Sequence, residues 1–266
     1  MSYKLSIILY VKNIFRPKWL TLMAGKRYGF ASVTICAINR KETFMRDFSI
    51  AETYVLMALL RKPEQSFLMS SVIISGVVLS CLYDSVLNGI ARIDSKGRMC
   101  AQIQPSEEYI YLQPLYENLK KMPERSMEKW FKSYCYQVRQ RDNKILLESV
   151  VDYMKKNDDL WPIVRRGFLG RTKTSYSINS SNLSKISDKV IEALKADSEP
   201  SISLIVLLAL ATTSGLEKSL YNLIPKSQCQ RIISICKRDN NWKFVKNSIG
   251  QIQNQYFDYQ LSSYQQ

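Results

Sequence analysis

The stretch from Gln65 to Tyr83 carries no charged residue over nineteen positions. That is long enough to cross a bilayer as a helix, so its finer pattern decides what the chain can fold into. Apolar clusters at Val72 to Ile74, Val77 to Leu79, Leu82 with Tyr83, Val86 with Leu87 and Ile90 with Ala91 alternate with Ser71, Ser75, Gly76, Ser80, Asp84, Ser85 and Asn88. The small and polar stripe continues past the uncharged run, which predicts a helix packed within a globular domain and not a transmembrane span. The preceding segment agrees. Ser49 is an expected N-cap, with Glu52 completing a capping box ahead of the periodic run Tyr54, Val55, Met57, Ala58 and Leu59 that stops at Pro63.

Most of the remaining chain also reads as helix. Ala91 to Ile103 predicts a hairpin turning at Ser95, Lys96 and Gly97. Amphipathic stripes follow at Leu115, Leu119 and Met122; at Met127, Trp130, Phe131 and Tyr134, with Pro123 in the first turn; and at Leu146, Leu147, Val150, Val151 and Met154. Between Trp161 and Ser177 the helical period stops, and two glycines, four cations and several aromatics mix, which predicts a second hairpin with an apolar and cationic tip. Helical periodicity returns at Val190, Ile191 and Leu194, then from Pro200 through Gly215, then after Pro225 at Cys229, Ile232, Ile233 and Cys236. The run Leu204 to Ala211 is apolar on every side and is the expected central buried helix. The fold class expected is all-α, a single helical domain over residues 45–250 with one or two small β-hairpins. Residues 251–266, rich in Gln, Tyr and Ser, read as a disordered tail.

Charge and histidine then bound the chemistry. There are 38 Lys and Arg against 23 Asp and Glu, a formal net charge of +15, and no histidine. The missing imidazole removes Ser-His-Asp and Cys-His nucleophilic sites and histidine metal sites, while the positive field suits polyanions: lipid headgroups, nucleic acid or acidic partner proteins. Residues 1–44 hold eight Lys and Arg against the single acid Glu42 and are expected to be a basic extension outside the fold. Cys36, Cys81, Cys100, Cys135, Cys229 and Cys236 are dispersed without a C-x-x-C pair, as buried reduced thiols of a cytoplasmic protein would be. No glycine-rich phosphate loop occurs, and paired acids such as Glu107 with Glu108 or Asp158 with Asp159 face different ways on a helix. No catalytic residue, metal site or cofactor is expected.

The order and spacing of "FSIAETYVLMALL", "LYDSVLNGIARID", "LYENLKKMPERSMEKWFKSY", "ILLESVVDYMKK", "FLGRTKTSYSIN", "ISDKVIEALK" and "SISLIVLLALATTSGLEKSLYNLIP", together about residues 48–237, resemble the Golgi phosphoprotein 3 family. The resemblance implies a single all-α domain, peripheral on membranes, that in eukaryotic members recognises phosphatidylinositol 4-phosphate and works as an adaptor without catalysis. Carried over by position, it places Met69 and Val78 where that family has a headgroup-binding tryptophan and arginine, and both are departures. An arginine pair falls near Arg139 and Arg141. The bilayer-dipping hairpin falls on Phe168 to Tyr176, flanked by Arg165 and Arg166. The lipid-binding set so implied is Arg139, Arg141, Arg165, Arg166, Phe168, Leu169, Arg171 and Lys173.

The expected function is peripheral, noncatalytic binding to anionic membrane lipid, with an acidic partner protein or a membrane-protein tail as a further partner. Residues 49–103 also have the helix, helix, hairpin outline of a winged helix, which makes nucleic acid the competing ligand. Against it, the second helix offers no Arg or Lys until Arg92. Nothing in the residues sets the oligomeric state.

Overall fold

The computed structural model of the chain describes residues 48–122, 124–136, 140–166, 172–179, 184, 188 and 200–263, the side chains of 140 and 255–263 excepted. The basic segment 1–44 and the helix expected around Val190 to Leu194 lie outside the described residues.

Helix α1 (Ile50–Arg61) starts as its capping box dictates: the Ser49 hydroxyl accepts from the Glu52 amide at 3.2 Å, and the Glu52 carboxylate accepts from the Ser49 amide at 3.0 Å. It ends just ahead of Pro63. A single turn, α2 (Gln65–Leu68), leads into α3 (Ser71–Leu87), so the uncharged run divides between two helices. Among the described residues, no helix is long and apolar enough to cross a membrane.

The small stripe of α3 turns inward. Ser75, Gly76, Ser80, Asp84 and Ser85 are all buried, and the hydroxyls of Ser80 and Ser85 return to the helix, donating to the carbonyls of Gly76 and Leu82 at 2.8 Å. Gly76 leaves room for the fully buried Tyr54 ring of α1: a Cβ there would overlap the ring and its hydroxyl. Small side chains thus let α1 and α3 approach closely, and the hydroxyls of Ser80 and Ser85 cost little because both find a local acceptor.

The mostly helical domain with small hairpins is as the sequence predicts. Strands β1 (Ala91–Ile93) and β2 (Arg98–Ala101) pair antiparallel, Arg92 opposite Cys100, around a turn in which Gly97 adopts φ +72° and Asp94 accepts from the Lys96 and Arg98 amides at 2.9 and 2.8 Å. A 3-10 turn over Glu107–Leu112 precedes α4 (Gln113–Lys121). A two-residue strand, β3 (Arg125–Ser126), then adds to β2. Helix α5 (Met127–Cys135) begins with Ser126 as N-cap, accepting from the Lys129 amide at 3.3 Å. Pro123, expected in the first turn, lies outside the described residues; the helix start is set by the serine hydroxyl at Ser126, three positions further on.

Helix α6 (Gln140–Lys156) leads into the second hairpin, β4 (Leu160–Arg166) and β5 (Thr172–Ile178). Four helices close the domain: α7 (Ile202–Thr213), α8 (Glu217–Tyr221), α9 (Lys226–Cys236) and α10 (Asn240–Ser263). Every side chain from Leu204 to Ala211 of α7 is buried, as its all-round apolar pattern requires. Helices α1 and α3 share that central position: residues 50–59 and 73–85 are buried throughout. Around them, α5 and α6 pack on α3, while α10 packs on α7 and α3.

The tail reading is corrected in part. Helix α10 continues to Ser263, and Trp242, Val245, Ile249 and Ile252 form a buried stripe along it. Gln253 donates to the Thr213 carbonyl at 2.9 Å. Gln is a good helix former, and a low apolar content suffices when the few apolar residues fall on one face.

Candidate surface at the second hairpin

The base of the β4/β5 hairpin is anchored. After α6, Asp158 reverses the chain at φ +58°, and the Asp159 amide donates to the Met154 carbonyl at 2.9 Å. Leu160 is fully buried, and Tyr176, which pairs with Pro162 on the same face, is nearly so, with the Lys155 ammonium 5.8 Å from the ring centroid. On its outer side β5 meets the α1–α2 connection: the Tyr176 amide donates to the Pro63 carbonyl at 2.7 Å, and Ser175 bridges to Glu64.

Beyond that base the hairpin stands in solvent. Residues 161–166 are all exposed. The register pairs Trp161 with Ser177, Ile163 with Ser175 and Arg165 with Lys173, and paired residues point to the same side of a sheet. One face therefore carries Trp161 and Ile163, exposed at 44% and 41%, together with Arg165 and Lys173. The other carries Val164, at 62%, with Arg166. Exposed apolar side chains next to cations, on a well-paired ladder, are not what a solvated hairpin needs for its own stability.

The placement of the expected residues divides three ways. Arg165, Arg166 and Lys173 come together at the far end of this ladder. Arg139, Phe168, Leu169 and Arg171 lie outside the described residues. Arg141 is in the first turn of α6, and the helix then runs about 22 Å to its last residue before the hairpin begins. Lys173 also has a partner: its ammonium meets the Glu64 carboxylate at 2.8 Å. That hydrogen bond and charge hold Glu64 below the usual carboxylate range. Two like charges opposite one another in a ladder are unfavourable, and Glu64 offsets one of them. Trp161, Ile163 and Val164 are the members that sequence reasoning missed. Their signal was the alternation Trp161, Ile163, Arg165, a two-residue period.

Of the two positions where the family resemblance expects headgroup contacts, Val78 is fully buried in α3 and Met69 is the half-buried C-cap of α2. Neither supplies a polar group to a ligand.

Two other clusters resolve into structural roles. Asp84 accepts from the Ile50 amide at 3.0 Å, the Ala51 amide at 3.0 Å and the Tyr111 hydroxyl at 3.1 Å, so a carboxylate from α3 caps the start of α1 from a distance in sequence. Burial pushes this group up from 3.8 to about 6, against the downward pull of those three donors and with a small further rise from Glu52. Asp94, Cys100 and Glu124 approach one another closely enough to suggest metal ligands. Arg98 already bridges the two acids, at 2.6 Å to Asp94 and 2.9 Å to Glu124, and hydrogen bonding with Glu124 raises the Cys100 thiol. The guanidinium holds this acidic pair as an ion would.

Compared with known proteins, the chain matches no family model and no curated relative.

Proposed function

We propose that this chain is a noncatalytic peripheral membrane protein whose second hairpin meets anionic lipid headgroups from the cytoplasmic side. The observation that carries the reading is the exposure of Trp161 and Ile163 beside Arg165 on one face of the β4/β5 ladder, with Val164 and Arg166 exposed on the other. A membrane interface accommodates that combination: apolar side chains enter the acyl boundary while guanidinium groups stay at the phosphates. Each Lys or Arg near an anionic surface contributes about 1 kcal/mol, so a few cations and two or three inserted side chains give reversible attachment. The resemblance to the Golgi phosphoprotein 3 family supports the same reading and suggests an adaptor role toward an acidic partner or a membrane-protein tail. Because Val78 is buried, the attraction proposed is to negative charge in general, and phosphatidylinositol 4-phosphate is one such headgroup among several.

The winged-helix alternative needs α3 to present a groove-reading face. Residues 73–85 of α3 are covered on every side, which leaves that stretch no groove-reading face and favours the membrane reading. Flotation with phosphatidylserine vesicles, neutral phosphatidylcholine vesicles and a DNA duplex at matched ionic strength tests the assignment. Binding to the first alone is expected; a DNA shift without vesicle binding would sink it.

A further inference from the structure

The two edges of the second hairpin differ. The outer edge of β5 is closed by Pro63 and Glu64. The Tyr176 amide points to Pro63 and away from β4, so in an antiparallel ladder its partner Pro162 also turns its backbone outward. The Asn179 amide, which donates to the Asp159 carbonyl at 3.1 Å, fixes the same alternation. Val164 and Arg166 therefore present backbone groups on the outer edge of β4, and the side chains from 161 to 166 leave it exposed. Pro162 lacks an amide hydrogen only where the β4/β5 ladder does not need one.

We infer that this open edge is the seam of a homodimer, with β4 of two copies pairing antiparallel about Ile163. A long, partly apolar strand edge is a liability unless something covers it. Pro162 and the arginines blunt it toward most strands, yet its own copy fits. Centred on Ile163, the Val164 amide of each copy meets the Pro162 carbonyl of the other, the Val164 carbonyl opposite the proline is left to water, and the two Ile163 side chains face each other. Trp161 lies opposite Arg165 twice, a cation–π arrangement. The two-fold separates the two Arg165 residues by about 13 Å along the strands, beyond the roughly 8 Å over which salt screens charge at physiological ionic strength. An acidic strand from another protein would pair with the arginines but leave Trp161 and Ile163 without apolar cover. One strand pair buries less than the roughly 1,000 Å² of a stable interface, so the dimer is weak and depends on concentration. The inference stands on the edge geometry and does not require lipid.

Sedimentation of the full chain without lipid tests it. A monomer–dimer equilibrium is expected at high concentration. Val164→Pro removes an amide that serves only the outer edge, and should weaken the dimer at least about tenfold with unchanged circular dichroism. Val164→Lys, which leaves the backbone alone and adds like charge at the seam, should do the same and decides the matter if the proline variant does not fold. Ile163→Cys should give an interchain disulfide that the unmodified chain does not form. A chain that stays monomeric at every concentration, or a dimer untouched by Val164→Lys and without the Ile163→Cys crosslink, overturns the inference.

Discussion

The centre of the domain and its second hairpin break the same rule in opposite directions. Around α1 and α3 the protein buries Glu52, Asp84, Ser75, Ser80 and Ser85, whereas on β4 it exposes Trp161, Ile163 and Val164. These polar groups find partners: Asp84 takes three donors, Glu52 accepts from the Ser49 amide, and Ser80 and Ser85 donate back to their own helix. The exposed apolar groups have no such match within the described fold. Polar atoms inside are there to hold helices in register, and apolar atoms outside point to something the hairpin meets. The difference teaches where to look for function in a chain without histidine: at unmatched surface, since the buried carboxylates are consumed by structure.

The comparison breaks first if Asp84 is dispensable. Asp84→Ala leaves the Ile50 and Ala51 amides and the Tyr111 hydroxyl without their acceptor, and should cost about 4 kcal/mol in urea denaturation at neutral pH. A loss below about 1 kcal/mol would mean that the carboxylate does not hold α1. Gly76→Ala comes next at about 3 kcal/mol, because the added methyl enters the Tyr54 ring, whose hydroxyl is fixed to Ser214 at 2.7 Å. Unchanged stability there would show that α1 and α3 can separate freely.

A smaller effect sharpens the picture through pH. Asp84 has a folded value of about 6, above its ordinary 3.8. Its protonated form therefore favours the folded state: this contribution is fully present below about pH 4 and is lost as pH rises toward about 6. At about 1.4 kcal/mol per pH unit the swing is at most about 3 kcal/mol. The stability of the unmodified protein minus that of Asp84→Asn should fall across this window and be flat above it. A difference that rises with pH would mean that the three donors outweigh burial and the carboxylate is ionised throughout.

Much of this was legible in the residues, for identifiable reasons. The capping box at Ser49 and Glu52, the turn at Gly97, and the all-round apolar run from Leu204 announce themselves because each depends on local chemistry. What was not legible depends on distant partners. Asp84 reads only as one member of the small and polar stripe on an apolar helix, and only the fold brings the α1 amides to it. Strand β3 is two residues held by β2, too short for any period. The Gln-rich end hid the continuation of α10 past Gly250, where Ile252 carries on the stripe begun at Trp242. At the hairpin, the glycine-flanked residues from 167 onward drew attention away from β4, where Pro162 interrupts the apparent strand yet occupies a ladder position that lacks nothing without an amide hydrogen.

The smallest expected effect on stability belongs to the surface the account depends on most. Trp161→Ser with Ile163→Ser should shift unfolding by under about 1 kcal/mol, since both side chains are substantially exposed. The direct test is co-flotation of this double variant with phosphatidylserine vesicles at low and high salt, beside a control in which the still more exposed Ile103 is replaced by serine. The account predicts at least about a tenfold loss of vesicle binding for the hairpin variant at both salt concentrations, because apolar insertion is not screened, and no loss for Ile103→Ser. Unchanged binding by the correctly folded hairpin variant would contradict it, and so would an equal loss in the control.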